Sequence, residues 1–429
     1  MPDHHLFRYR DPAQHLPLPG GERTTRVKAI ITGGGTGGHL FPAIALAEEL
    51  RSRRTDVSLL FVGVEGGIEA SLLATRGWDF EGIRASGLQG KRLLSRLRSL
   101  TLIPSGLIRA LSILRRFRPD VVVGFGGYAS AAMVLSGVLA RVPTVIHEQN
   151  ALPGLANRWL GRIVDSVAVA FEEASDFFPK SKVRVTGNPV RAELFGVSRA
   201  EAATRLGLDP NRFTLLIFGG SQGAHRLNQA VMEALPKLTD ERERIQFIHA
   251  TGPRDLSLVR QGYDALGYSA AVEPFFQAMA VAYAIADLCF CRAGAGTVAE
   301  LCALGKPSVL VPFPFAANDH QRYNAEALVA SGGARMVLDH DLSGATVAEI
   351  IRTFLRDREG LEVMAHRAKS LEKPDAAIRL ADLVTLTACQ APGAKFYVGF
   401  QVSHARFHVG DPKPKTRNPK LETGNCSDV

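Results

Sequence analysis

The sequence predicts an α/β protein built from two Rossmann-like lobes, each with a mostly parallel sheet covered by helices. From Arg26 onward, short apolar runs alternate with segments of helical length, the pattern that repeated strand–helix–strand units produce. Glycine-rich turns at 34–36 and 219–221 occupy corresponding places in the two halves, each between a predicted strand and a predicted helix. This internal repeat favours two lobes over one large sheet.

The apolar runs place four predicted strands in each half of the chain. In the first half they cover 27–31, 57–62, 119–124 and 142–147, and in the second half 213–218, 244–250, 286–291 and 308–313. Helix-length segments follow the strands, so consecutive strands are expected to run parallel and to bind ligands beyond their carboxyl ends.

Changes in composition and periodicity divide the chain into two lobes, a returning helix and two tails. The bounds are 26–187 for the first lobe, 188–373 for the second, 374–389 for a helix that packs back on the first lobe, and 1–25 and 390–429 for the tails. Asn188-Pro189 sets the boundary between the lobes because this dipeptide breaks regular structure. The tails lack apolar periodicity, so we expect them to be poorly ordered.

Composition excludes several classes of protein. The 429 residues are 46% hydrophobic and 22% charged, as in globular proteins. Five cysteines are an odd, sparse count, which argues against a disulfide framework and favours a reducing compartment, and no pair of them has zinc spacing. Segment 1–25 has no apolar central region and is therefore not expected to be a signal peptide. The uncharged run 121–140 contains four glycines, which favours a buried strand, a turn and a helix over a membrane span.

The net charge of +9 resides in one segment. Residues 84–118 contain nine Lys and Arg residues and no Asp or Glu, interleaved with leucines and isoleucines and interrupted at 104–106 by Pro-Ser-Gly. Such a sequence is typical of a surface helix that binds an anionic membrane. A solvated basic face above an ordinary core stripe is the alternative. Nucleic acid is disfavoured because Phe117 is the only aromatic residue of the segment.

The run ITGGGTGGHLFPA at 31–43 is typical of an anion-binding turn at the start of a helix. Its glycines let backbone N–H groups approach a phosphate, and the helix adds its positive N-terminal end. His39 lies at this helix start, where the dipole disfavours the imidazolium, so a neutral His39 could accept a proton; a histidine that only caps the turn is the alternative. Gly33, Gly35 and Gly38 also fit a dinucleotide fingerprint, but no convincing ribose-binding acid follows.

A polar cluster follows two predicted strands of the first half. The run FGGYASAAM brings Tyr128, a candidate substrate contact, and the run VIHEQN brings His147, Glu148, Gln149 and Asn150 to the carboxyl ends of their strands. Glu148 could act as a general base or orient a hydroxyl group, and Asn150 could bind a sugar hydroxyl or amide.

Three segments of the second half carry further candidates. Ser221 and the glycines of FGGSQGAH could hold a diphosphate without lysine or metal. Glu300, one turn into the helix that follows RAGAG, is suited to bidentate binding of ribose hydroxyls, although an acid that only stabilises the helix start is the alternative. In the run VPFPFAANDHQRYN, Asp319, Gln321 and Asn324 could read sugar hydroxyls.

Together, these motifs resemble the MurG family of glycosyltransferases over about residues 27–388. The matching runs, in chain order, are TGGGTGGHLFPA, SGLQGK, GFGGYAS, HEQN, GNPVR, GGSQGA, RAGAGTVAE and VPFPFAANDHQRYNA. Each run alone is weak, but their ordered set is highly specific. The resemblance implies a GT-B fold, in which the active site lies in the cleft between two Rossmann-like lobes.

The resemblance also implies which residues contact the sugar-nucleotide donor. They are Thr36, Gly37, Gly38, Asn150, Arg191, Ser221, the backbone near Phe276, Ala295, Gly296, Thr297, Val298, Ala299, Glu300 and Gln321. Phe276 stands where relatives often have a smaller aliphatic residue. His39 and Glu148 are the candidates for the catalytic base, and Arg191 would stabilise the leaving diphosphate together with backbone N–H groups. No DxD-like pair occurs at the cleft loops, so no divalent metal and no cofactor are expected.

The implied reaction is an inverting transfer of N-acetylglucosamine from UDP-GlcNAc to the 4-hydroxyl of MurNAc in undecaprenyl-pyrophosphoryl-MurNAc-pentapeptide, called lipid I. Its products are lipid II and UDP, and it belongs to peptidoglycan synthesis, on which cell shape and cell division depend. The family implies a peripheral enzyme on the cytoplasmic side of the inner membrane, with Lys91 and the basic segment facing lipid. Another UDP-sugar transferase that makes a membrane glycolipid is the nearest alternative. An NAD(P)-dependent oxidoreductase would give no role to the second glycine-rich loop and the HEQN cluster. A non-catalytic basic binding protein would give no role to either glycine-rich loop.

Overall fold

The computed structural model describes residues 27–34, 37–53, 56–83, 93–220 and 222–389, with the side chains of residue 68 and of 93–104 left aside. The predicted tails at 1–25 and 390–429 lie outside the described residues, as do Thr36, Lys91 and Ser221.

The first lobe contains a parallel sheet with the spatial order β3-β2-β1-β4-β5-β6-β7. Its strands are β1 (Lys28–Thr32), β2 (Ser58–Val64), β3 (Phe80–Ile83), β4 (Val121–Gly124), β5 (Thr144–Glu148), β6 (Ser166–Val169) and β7 (Val183–Val185). Its helices are α1 (Gly37–Arg53), α2 (Ile68–Thr75), α3 (Leu93–Phe117), α4 (Tyr128–Leu139) and α5 (Leu155–Leu160). The central strands are buried on both faces because helices cover both sides of the sheet.

The second lobe contains a parallel sheet with the spatial order β10-β9-β8-β11-β12-β13. Its strands are β8 (Phe213–Phe218), β9 (Ile245–Ala250), β10 (Ala270–Glu273), β11 (Leu288–Cys291), β12 (Ser308–Leu310) and β13 (Ala334–Met336). Its helices are α6 (Arg199–Leu206), α7 (His225–Ala234), α8 (Leu256–Ala265), α9 (Met279–Ile285), α10 (Ala295–Leu304), α11 (His320–Ala330), α12 (Gly344–Arg356) and α13 (Arg358–Ser370). The predicted α/β architecture of two Rossmann-like lobes is confirmed.

The strand order reverses once in each lobe, between β1 and β4 in the first and between β8 and β11 in the second. At such a point the connections leave in opposite directions and open a crevice at the carboxyl ends of the strands. The two glycine-rich turns predicted from the sequence follow β1 and β8, so each lies at the crevice of its own lobe.

A last helix, α14 (Ala376–Cys389), packs on the first sheet rather than on the second. Leu380, Ala381 and Val384 are buried in the same core as α1 and the central strands of that sheet. Polar contacts add to this packing, since Arg53 of α1 forms an ion pair with Asp382 at 2.6 Å. The chain therefore crosses between the lobes twice within the described residues.

The basic segment differs from its prediction at Pro104. The expected break at 104–106 is wrong, because α3 continues through the proline to Phe117. A proline inside a helix removes one hydrogen bond. The turns that follow are retained because Ala110, Ile113 and Leu114 are buried in the core beneath the sheet. Within the described ranges, no helix is long and apolar enough to cross a membrane.

Candidate active site

Two glycine turns meet at the crevice of the first lobe. Gly127, which precedes α4, has a φ of 87°, and a Cβ atom there would lie 2.7 Å from the carbonyl oxygen of Gly34. Only glycine combines this backbone conformation with such a close approach. The turn after β1 and the turn after β4 therefore pack backbone against backbone and form the floor of the crevice.

His39 lies on the first turn of α1, above this floor. Its Nδ1 is 3.2 Å from the carbonyl oxygen of Gly34, so Nδ1–H donates and Nε2 carries the lone pair. Gly126 faces the same ring, because a Cβ atom there would lie 3.0 Å from Nε2. Burial lowers the pKa of His39 below the usual 6.5, which keeps the imidazole neutral at pH 7.

Glu148, at the end of β5, is buried and organises the loop that follows it. Its Oε1 accepts hydrogen bonds from the backbone N–H of Asn150 at 2.9 Å and from the Asn150 side chain at 3.0 Å. Its Oε2 accepts hydrogen bonds from the Gly154 N–H at 3.2 Å and from the Asn157 amide at 2.9 Å. Four donors therefore converge on one carboxylate, an arrangement that holds the loop in a single conformation.

The neighbouring residues of this motif anchor the strand end. His147 Nε2 lies 3.0 Å from the carbonyl oxygen of Gly187, and Gln149 donates to the carbonyl oxygen of Phe125 at 2.8 Å. Burial lowers the pKa of His147 to about 4, so it is neutral and serves as a hydrogen-bonding support. The predicted cluster thus separates into two supporting side chains, His147 and Gln149, and two residues that shape the loop.

Asn324 of α11 joins this loop to the second lobe. Its Oδ1 accepts the Ala151 N–H at 2.9 Å, and its Nδ2 lies 3.1 Å from the Asn150 Oδ1 and 3.2 Å from the Ala293 carbonyl oxygen. Asn324 is fully buried. The side chain that the sequence suggested as a reader of sugar hydroxyls is here a polar link between the lobes.

Arg191 and Glu300 form the charged centre of the second lobe's side of the crevice. The Arg191 Nη2 lies 3.2 Å from Glu300 Oε1, and Tyr283 donates to Glu300 Oε2 at 3.0 Å. The guanidinium also stacks on the ring of Phe41 from α1, at 4.0 Å from the ring centroid. Burial raises the pKa of Glu300, although Arg191 and Tyr283 oppose this shift. A carboxylate held in this way still has lone pairs for a further hydroxyl donor.

The other predicted contacts lie at the starts of helices around the crevice. Gly37 and Gly38 begin α1, Tyr128 begins α4, Ala295, Gly296, Thr297, Val298 and Ala299 form the first turns of α10, and Gln321 lies on the first turn of α11. Helix α1 packs against α10 across the lobes. Gln321 Oε1 accepts the Phe313 N–H at 3.0 Å, and the Phe276 ring is buried in the second lobe's core.

Sequence reasoning missed several residues that position the charged centre. Phe41 lies one half-turn after His39 in the first motif, and its proximity to a helix start was the available signal. Tyr283, Glu193 and Arg76 belong to no glycine-rich motif. Glu193 lies two residues after Arg191, whereas only the fold brings Tyr283 to Glu300 and Arg76 to Glu193. Among the described residues, no group of His, Cys, Asp or Glu side chains is arranged to hold a metal ion.

Known proteins share this architecture and these motifs. The glycosyltransferase family 28 N-terminal domain matches residues 29–169, and the glycosyltransferase family 28 C-terminal domain matches residues 214–380. A UDP-N-acetylglucosamine--N-acetylmuramyl-(pentapeptide) pyrophosphoryl-undecaprenol N-acetylglucosamine transferase of Myxococcus xanthus (strain DK1622) is 46% identical over 83% of this chain and 92% of its own length. The enzyme of the same name from Anaeromyxobacter dehalogenans (strain 2CP-C) is 48% identical over the same shares.

The chain belongs to the MurG family. A crystal structure of Acinetobacter baumannii MurG covers 84% of the chain and 99% of its own length, with a TM-score of 0.66 and 29% sequence identity. The resemblance seen in the sequence is confirmed, and so is the GT-B fold that it implied.

Replacing Glu148 by Gln tests its organising role in this member of the MurG family. The amide would turn an NH₂ group toward backbone and side-chain donors, so at least one buried donor loses its acceptor. We expect the free energy of unfolding, measured by denaturant titration, to fall by about 2 kcal/mol. Glu362→Gln, at an exposed position of α13, is the matched control and should leave it unchanged. An unchanged value for Glu148→Gln would contradict the organising role.

Proposed function

We propose that the chain transfers N-acetylglucosamine from UDP-GlcNAc to the 4-hydroxyl of MurNAc in undecaprenyl-pyrophosphoryl-MurNAc-pentapeptide, forming lipid II and UDP in peptidoglycan synthesis. One observation carries this proposal beyond family membership: a neutral histidine on the first lobe faces the same crevice as the Arg191–Glu300 centre of the second lobe. A base on one side and an anion-binding centre on the other are the two requirements of sugar transfer from a nucleotide diphosphate.

The displacement inverts the anomeric carbon, because the acceptor hydroxyl attacks from one face while UDP leaves from the other. His39 takes the proton of the 4-hydroxyl at Nε2, since Nδ1 is engaged with the Gly34 carbonyl oxygen. The nearby carboxylate of Glu148 raises the pKa of His39 and thereby stabilises the imidazolium that forms. Glu148 thus assists the base, while its own lone pairs are held by four loop donors.

The leaving diphosphate gains negative charge as the bond to the sugar breaks. Arg191 supplies a guanidinium, and the N-terminus of α10 and the glycine turn after β8 supply backbone N–H groups. Glu300, in the second turn of α10, is placed to accept ribose hydroxyls while Tyr283 and Arg191 hold its carboxylate. Asn150 and Gln321 flank the sugar position from the first and second lobes.

Release of UDP from UDP-GlcNAc in detergent tests the reaction. With a short-chain lipid I analogue present, we expect UDP to accumulate in proportion to the acceptor that is consumed. Without the acceptor, release should be slower by at least about a hundredfold, because hydrolysis lacks the positioned nucleophile. Binding of UDP-GlcNAc without acceptor-dependent release of UDP would indicate that the acceptor is another membrane lipid. Failure to bind UDP-GlcNAc would contradict the proposed donor.

Replacing His39 by Asn tests the base. The Asn amide can still donate toward Gly34, but it cannot take the proton, so kcat should fall by about 10²–10⁴-fold. In the wild type, the neutral imidazole is the active form, so kcat/KM falls as the pH drops through the pKa of His39. Because burial lowers that pKa, the acidic limb should be centred below pH 6.5. His340→Asn, on an exposed histidine, is the control, and a His39→Asn enzyme with the wild-type pH profile would exclude this base.

We further propose that the first lobe docks on the anionic cytoplasmic face of the inner membrane as a peripheral protein. Leu155, Trp159 and Ile163 are spaced by four residues along α5 and its extension, and the first two are 70% and 53% exposed. Exposed apolar side chains also lie at Leu139 of α4, which packs against α5, and at Ile108 of α3, which packs against α4. An apolar surface of this kind fits an interfacial lipid layer.

Exposed arginines lie on or directly after the same helices, though two of the predicted cations are already paired. Arg109 and Arg116 of α3 both contact Glu81 of β3, which neutralises part of the basic segment. Arg115, Arg141 and Arg162 are exposed on the same layer of helices. The membrane attraction is therefore attributed to apolar insertion together with these arginines, each contributing about 1 kcal/mol near an anionic surface.

Co-sedimentation with vesicles tests the membrane proposal. Phosphatidylcholine vesicles that contain phosphatidylglycerol should bind the protein more tightly than phosphatidylcholine alone, and added salt should weaken this binding. Replacing both Leu155 and Trp159 by Ala should reduce the partition coefficient by about tenfold or more, because two inserted apolar side chains are lost. Leu258→Ala, at an exposed leucine of the second lobe, is the control. Binding that is indifferent to lipid charge, salt and the double substitution would contradict this docking surface.

A further inference from the structure

A ladder of alternating charges runs from the first lobe into the donor side of the crevice. Its members, in order, are Glu48, Arg76, Glu193, Arg191, Glu300 and Tyr283. Glu48 lies on α1 and Arg76 directly follows α2, whereas Glu300 and Tyr283 lie on α10 and α9. The ladder therefore connects helices of both lobes through Arg191 and Glu193, which lie shortly after Asn188-Pro189.

Glu193 is the central carboxylate of this ladder. Arg76 Nη2 donates to both of its oxygens, at 3.0 Å and 3.1 Å, and Arg191 Nη1 donates to Oε1 at 2.8 Å. The other terminal nitrogen of Arg76, Nη1, lies 3.4 Å from Glu48 Oε1. The Glu193 carboxylate thus contacts Arg76 of the first lobe on one side and Arg191 on the other.

Arg191 depends on this arrangement more than a surface arginine would. Its side chain is only 6% exposed, and among the described residues its Nε has no hydrogen-bond partner. Each terminal nitrogen is occupied by one carboxylate, Glu193 or Glu300, while the Phe41 ring supports its face. A buried guanidinium is stable only when its charge is paired. Because the group is planar and both of its terminal nitrogens are hydrogen-bonded, it is held in one orientation.

We propose that Glu193 is a positioning residue for donor binding, which orients Arg191 from the side opposite Glu300, and that Arg76 acts through Glu193 to tie this orientation to the first lobe. Arg191 meets the diphosphate only in the function proposed above, so this role of Glu193 rests on that function. The ladder also explains why α2, which carries none of the predicted site residues, has a charged contact with the donor side of the crevice.

The test is a double-mutant cycle on the full-length protein with Glu193→Gln and Arg76→Gln. Each single substitution should raise the KM for UDP-GlcNAc and the Kd for UDP by about fivefold, which corresponds to about 1 kcal/mol for one partly exposed ion pair. The kcat at saturating donor should stay within about twofold, because neither residue touches the reacting atoms. Since Arg76 acts through Glu193, the double variant should bind no more weakly than Glu193→Gln alone.

The Glu201–Arg205 pair on α6 provides the matched control. It is an exposed glutamate–arginine pair of the same lobe with no contact to Arg191, so Glu201→Gln and Arg205→Gln should leave both constants unchanged. Glu193→Asp, which keeps the charge but shortens the reach, should fall between Glu193→Gln and the wild type. It also serves if Glu193→Gln fails to fold, as judged by its thermal unfolding midpoint.

Three outcomes would overturn this proposal or its part that concerns Arg76. If both single variants had a KM for UDP-GlcNAc and a Kd for UDP within twofold of the wild type, Glu193 would not position Arg191. Transferase activity of the wild type would in that case still support the proposed function. Additive effects of the two substitutions would show that Arg76 does not act through Glu193. Wild-type protein that binds no UDP would contradict the proposed function itself, and the role of Glu193 with it.

Discussion

The geometry of the crevice depends on the hydrogen bonds that converge on Glu148. An ionised carboxylate at a buried strand end is costly unless its oxygens are satisfied, and here four donors from the following loop satisfy them. The loop is therefore wrapped around one charge. The position of the loop brings Asn150 and Ala151 to Asn324 on the other lobe. Glu148, which contacts only residues of the first lobe through these hydrogen bonds, therefore helps to set how the two lobes are placed against each other.

Close backbone contact is the second constraint on the crevice. The turns after β1 and β4 touch without intervening side chains, and this is why the floor beneath His39 is so near to its ring. At Gly34, Gly126 and Gly127 the floor presents backbone carbonyl and N–H groups. One of these carbonyls, that of Gly34, holds Nδ1 of His39, and the same dense surroundings lower the pKa of the ring. Tight packing thus keeps the imidazole neutral, with its lone pair at Nε2.

The sequence was a good guide to the central strands and to the glycine turns, because both are governed by local rules. Apolar runs such as 213–218 are strands buried on both faces, and glycine clusters mark the turns at their ends. The edge strands β3, β7, β10 and β13 were missed, since runs such as FEGI, VRV and ARM are short and lack continuous apolar character. The interior strand β6 was also missed, because four residues with one polar member are too few for a pattern.

The site was predictable only where a residue acts within its own motif. His39 stands beside the glycines that hold it, and Glu300 lies in the first turns of its helix, so their chemistry could be inferred from neighbours in sequence. For Glu148, the sequence could not decide between a general base and a group that orients a hydroxyl. The hydrogen bond that it accepts from Asn157 and its burial both result from the folding of the loop. The contact of Arg76 with Glu193 joins positions far apart in the chain, and no local pattern encodes it.

The proposed base, His39, and the proposed donor-binding arginine, Arg191, are joined through one helix. Phe41 lies two positions after His39 on α1, and its ring supports the guanidinium of Arg191 from the second lobe. A rotation of α1 that moved His39 would therefore also move the surface on which Arg191 rests. Because Arg191 also pairs with Glu300, the positions of His39 and of the Glu300 carboxylate are coupled through Phe41, Arg191 and Glu300, three side chains in direct contact. A cleft formed by two separate sheets can keep the side chains of its two sides aligned in this way, since the alignment passes through packed and charged contacts between the lobes.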